Sequence, residues 1–94
     1  MAAKPTMNSL KFDEENEDKI AAHGLRPRDL LEVIDHKFLI SRNRKARRGA
    51  HLVIGRDLES RCITVQVEPT LDPTEWRPVT AWFGKAAEAA LCLD

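Results

Sequence analysis

The clearest pattern in this chain is an alternation of period two. Ile63, Val65 and Val67 interleave with Thr64, Gln66 and Glu68, as in a strand with one face on a core and the other toward water. Shorter runs of β character occupy Phe38 to Arg42, His51 to Arg56 and Arg77 to Phe83. The connection Asp57 to Arg61 is short and polar enough for a hairpin, and Pro69 to Trp76, with Asp72-Pro73, makes a longer loop. Successive strands joined this way order themselves as antiparallel neighbours.

Ahead of the strands the period changes. Asp13 to Ala22 is rich in Glu, Asp, Lys and Ala and has neither Gly nor Pro, with its acids in the first turn where the helix dipole favours them. His23-Gly24 ends this helix, because glycine takes the left-handed conformation that closes it. Pro27 suits the first turn of a second helix, and Leu30, Leu31, Val33 and Ile34 give that helix an apolar stripe through Asp35. Arg26 is a weak N-cap beside Ser, Thr or Asp. After Gly84, the Ala-rich Lys85 to Leu93 predicts a short terminal helix.

The expected order is therefore ααββββα, an α+β fold with two N-terminal helices, a four-stranded antiparallel sheet and a short C-terminal helix. At 94 residues this is one domain with a small core. Residues 1–11 are expected to be a flexible tail and 12–94 the folded unit. No apolar stretch approaches the roughly 20 residues that span a bilayer, and Met1 to Ser9 hold no signal-peptide core, so the expected location is cytoplasmic, with no membrane contact. In that reducing compartment Cys62 and Cys92 are expected as free thiols, small and buried. The histidines and cysteines show no paired metal-ligand spacing.

Charge changes this bland picture. The chain is neutral in sum, yet residues 36–56 hold seven basic and no acidic side chains. Arg42, Arg44, Lys45, Arg47 and Arg48 put five cations into seven residues. Such a block concentrates positive potential where a polyanion docks, and acidic flanks limit indiscriminate sticking. A solvated basic loop is the plain alternative.

Several stretches resemble a known family. Phe12-Asp13-Glu14-Glu15-Asn16-Glu17-Asp18-Lys19-Ile20-Ala21-Ala22-His23-Gly24-Leu25, then Pro27 and Leu31-Glu32-Val33-Ile34, resemble the opening of BrnT-like toxins of the RelE-type ribonuclease fold. Arg42-Asn43-Arg44, the Gly49 to Gly55 strand ending in Arg56, the Leu58 to Pro69 arm and Trp76-Arg77-Pro78-Val79-Thr80-Ala81 follow in the same order. The resemblance implies the toxin of a type II toxin–antitoxin system. Such a toxin cleaves RNA without metal or cofactor, acts on messenger RNA either free or on the ribosome, and is neutralised by a cognate antitoxin protein. Homo-oligomerisation is left open.

On that reading His51, Arg56 and Arg77 are the candidate catalytic residues. Guanidiniums offset charge on phosphoryl oxygens, and a histidine can act as acid or base near neutral pH. Arg42, Arg44, Lys45, Arg47 and Arg48 would hold RNA phosphates, and Trp82 would stack a base. Packing is the plain alternative for both tryptophans. Three departures from the family stand out: His51 stands where many relatives have Tyr, Trp82 where they have Arg, and the last helix is short and poor in charge; Trp82 and the short helix fit a function other than cleavage. The alternatives are a catalytically inactive interaction module of the same fold or a nucleic-acid-binding regulator.

Overall fold

A computed structural model describes residues 7–36, 38–42, 51–85 and 89–92, with Arg42 placed by its backbone alone. The elements are β1 (Ser9–Leu10), α1 (Glu14–Ala21), α2 (Pro27–Ile34), β2 (Phe38–Arg42), β3 (His51–Arg56), β4 (Cys62–Pro69) and β5 (Glu75–Phe83).

α1 is fixed at its start by a reciprocal pair. The Asp13 carboxylate accepts the Asn16 N–H at 2.9 Å, and the Asn16 side-chain oxygen accepts the Asp13 N–H at 3.0 Å. Asn16 is fully buried, and its amide also donates to the Lys11 carbonyl at 3.1 Å, so its burial is compensated. Gly24, at φ +81°, closes the helix while the Leu25 N–H reaches back to the Ile20 carbonyl at 3.0 Å. α2 begins without a side-chain cap from Arg26. Asp29 does the work instead: its carboxylate accepts the Arg26 N–H at 2.8 Å and the Arg26 guanidinium at 3.2 Å.

The sheet corrects the expectation of four antiparallel strands. It has five strands in the order β1-β5-β4-β3-β2, and β1 runs parallel to β5, so it is mixed. β1 comes from the segment expected to be a tail. Asn8 N–H donates to the Thr74 carbonyl at 2.9 Å, Lys11 N–H donates to the Trp76 carbonyl at 2.8 Å, and Met7 and Leu10 are buried. Burying those two side chains compensates for ordering a short parallel strand. Among the described residues the expected C-terminal helix is absent as an element. The described part of that segment is a single turn, closed by Ala89 N–H to the Lys85 carbonyl at 2.7 Å. Alanine propensity alone does not sustain so short a helix.

One face of the sheet meets the helices. Val53, Val65 and Ala81 are cross-strand neighbours on it, and with Ile63 and Val67 they join Ile20, Leu25, Leu30 and Val33 in the core. Trp76 belongs to this core too, at 7% exposure. Pro78 is accommodated where the β4–β5 register shifts, so its missing N–H interrupts a ladder already bulged there. The second face carries Ile54, Thr64 and Trp82 in one row. Cys62 begins β4 on that same face, and it is joined to Cys92 by a disulfide with Cα atoms 6.1 Å apart, where free thiols were expected. Among the described residues, no helix is long and apolar enough to cross a membrane.

Candidate nucleic-acid interface

β2 and β3 pair antiparallel from Phe38↔Gly55 to Arg42↔His51 without interruption. This pairing sets the two ends of the basic stretch side by side at one end of the sheet. Arg44, Lys45, Arg47 and Arg48 lie outside the described residues, and Arg42 is paired with His51 through its backbone.

His51 packs its ring edge-on against Trp76, with centroids 5.2 Å apart at 85°. Its buried Nδ1 has no hydrogen-bond partner among the described residues. Leaving such an atom unpaired costs stability.

The three candidate catalytic residues do not converge. His51 and Arg56 are separated by five positions in one unbroken strand, so they face opposite sides of the sheet, roughly 16 Å apart along β3. Arg77 is opposite Glu68, and Arg56 is opposite Cys62. Those β4 positions are six residues apart, which puts roughly 20 Å between the two arginines along the sheet. His51 is opposite Val67 on the core face, while Arg77 is opposite Glu68 on the second face. Trp82 is half-buried beside Thr64, in the middle of that second face.

Arg77 is also committed to acids. Its guanidinium donates to Asp13 at 2.7 Å, Glu15 at 3.0 Å and Glu68 at 3.3 Å. The hydrogen bond from Arg77, followed by that from the Asn16 backbone, holds the Asp13 carboxyl below the usual range, and the contact with Asp13 raises Arg77 further above its own. With only 16% of its side chain exposed, Arg77 is placed to tie the start of α1 to β5 and β4. Arg56 donates to the Ser60 carbonyl at 2.7 Å, inside the turn that follows its own strand. Ser60 holds φ 63° in that turn.

A second network was not visible in the sequence. The buried Asp57 accepts the Glu59 and Arg61 N–H groups at 3.0 and 2.8 Å and the Arg61 guanidinium at 2.7 Å. Arg61 also reaches Asp29 at 3.5 Å, and Leu58 N–H donates to Glu32 at 3.1 Å. Burial pushes the Asp29 carboxyl up, but the hydrogen bonds and charge of Arg26, with Arg61, outweigh it and hold the group low. Oxygens of Asp29, Glu32 and Asp57 lie within 4.8 Å of one another. They receive donors from Arg26, Arg61 and Leu58, so the cluster already has a structural role in joining α2 to the β3–β4 turn. The signal available in advance was an Asp three residues after Arg26, a spacing that caps a helix from inside.

Comparison with models of protein families, with characterised proteins and with solved structures returned no match.

Proposed function

We propose that this chain is an RNA-binding, BrnT-like component of a type II toxin–antitoxin system, working in the cytoplasm and held in check by an antitoxin protein. It grips RNA phosphates with Arg42, Arg44, Lys45, Arg47 and Arg48. One observation carries this reading: residues 36–56 hold seven basic and no acidic side chains, and the Arg42↔His51 pairing sets the two residues that flank the densest part of that stretch side by side. Contacts of that kind are electrostatic and tolerant of sequence.

Binding is favoured over cleavage because Arg56 and Arg77 stand roughly 20 Å apart along the sheet and Arg77 is ion-paired to three carboxylates. Cleavage by a smaller set, His51 with Arg42, is the second reading. It is favoured by their backbone pairing in the β2–β3 ladder and by the His51 Nδ1, which has no hydrogen-bond partner among the described residues. The test is incubation of the purified protein with labelled single-stranded RNA in chelator. Retarded but intact RNA supports the binding role. Fragments with 2′,3′-cyclic phosphate ends, abolished by His51→Gln, establish the endoribonuclease. Absence of any retardation at low salt removes both.

A further inference from the structure

The two halves of the disulfide sit in unequal surroundings. Cys62 opens β4, where the Gly84 N–H donates to its carbonyl at 2.9 Å. Its neighbour Arg61 is anchored to Asp57 and Asp29. Cys92 ends a single turn whose described residues Ala89, Ala90 and Leu91 are all exposed. That turn is closed by Ala89 N–H to Lys85 and by Cys92 N–H to the Ala89 carbonyl at 3.2 Å. The described residues of that turn bury little apolar surface, and such burial does not hold a turn in place once a covalent tether is cut.

We infer that Cys62–Cys92 is a reversible thiol–disulfide latch that fastens the C-terminal segment to the second face of the sheet and releases it on reduction, leaving the domain folded. The inference rests on this asymmetry and not on the RNA reading. A small-molecule dithiol supplies the electrons. Its thiolate attacks one sulfur and breaks the S–S bond, forming a mixed disulfide and a Cys thiolate. The second thiol of the reductant then displaces the other cysteine sulfur, which leaves as thiolate. The protein gains two electrons and two protons, and the reductant leaves as its own disulfide. Under oxidant the same exchange runs in reverse and re-forms the bond.

Lys85 makes the device measurable, because it is the last Lys or Arg of the chain. Tryptic cleavage after it reports on the segment alone. The expected result is a rise of about tenfold or more in cleavage after Lys85 when the full chain is treated with dithiothreitol. Amide exchange should rise within 85–92 but stay unchanged in β3 and β4, and removing the reductant should restore the slow rate. Cys92→Ser should cleave at the fast rate with or without reductant. Equal cleavage of oxidised and reduced wild type overturns the inference. So does exchange that rises throughout β3 and β4 on reduction, which would make the bond a structural staple of the whole domain. Alkylation and mass measurement showing two free thiols under air would remove the latch itself.

Discussion

The Arg77 corner and the β2–β3 hairpin both carry arginine, yet in different company. Arg77 is enclosed by Asp13, Glu15 and Glu68, which arrive from α1 and β4, so its charge is spent on holding the domain together. The hairpin stretch has no acid of its own between residues 36 and 56, while five of its cations fall within residues 42–48 of the sequence. An arginine therefore cannot be assigned to a ligand by its residue type. What decides is whether the fold brings carboxylates to it.

The contrast is broken most strongly by emptying the hairpin. Replacing Arg44, Lys45, Arg47 and Arg48 together with Ala should weaken binding of single-stranded RNA by about a thousandfold at low salt, while leaving the melting temperature within a few degrees. Titration by fluorescence anisotropy, alongside a thermal melt, checks both halves. Arg77→Ala should do the reverse. It leaves three carboxylates clustered without their cation, at a cost of about 2 kcal/mol. That is less than a fully buried pair, because the carboxylates are partly solvated. Urea unfolding should show the loss, and RNA affinity of the folded fraction should stay within about twofold.

Acid sharpens the same comparison more gently. Because Arg77 lowers the folded pKa of Asp13 below its unfolded value of 3.8, the associated stability is present above that pH. It is lost as pH falls through the lower, folded value. Asp13→Asn, which keeps a capping oxygen, should remove part of the steepness of the acid limb in urea midpoints measured from neutral pH downward. Chelator should have the smallest effect, leaving RNA affinity unchanged, since phosphate contacts by guanidinium and ammonium groups need no ion.

Much of the fold was legible because it is locally encoded. Asp13 and Gly24 mark the ends of α1, Pro27 marks the start of α2, and the alternation of Ile63 to Glu68 marks β4. β1 was not legible, since two residues carry no periodicity and their pairing with β5 joins Leu10 to Trp76 across the length of the chain. The disulfide likewise spans 30 residues, and cysteine spacing alone does not determine pairing. Of the candidate site, the basic composition of residues 36–56 was readable, as was the opposition of His51 and Arg56 once five positions in one strand are counted. The pairing of Arg77 with Asp13 spans 64 positions. No local pattern encodes a contact of that range.

Measuring the affinity of a labelled single-stranded RNA across a range of salt concentrations tests the central claim most directly. Five phosphate contacts predict a slope of log affinity against log salt of about −3.5 for the wild-type chain, falling toward −1 in the four-residue hairpin variant and unchanged in Arg77→Ala. A flat dependence in the wild type, or a slope that collapses with Arg77→Ala and survives loss of the hairpin cations, would contradict it.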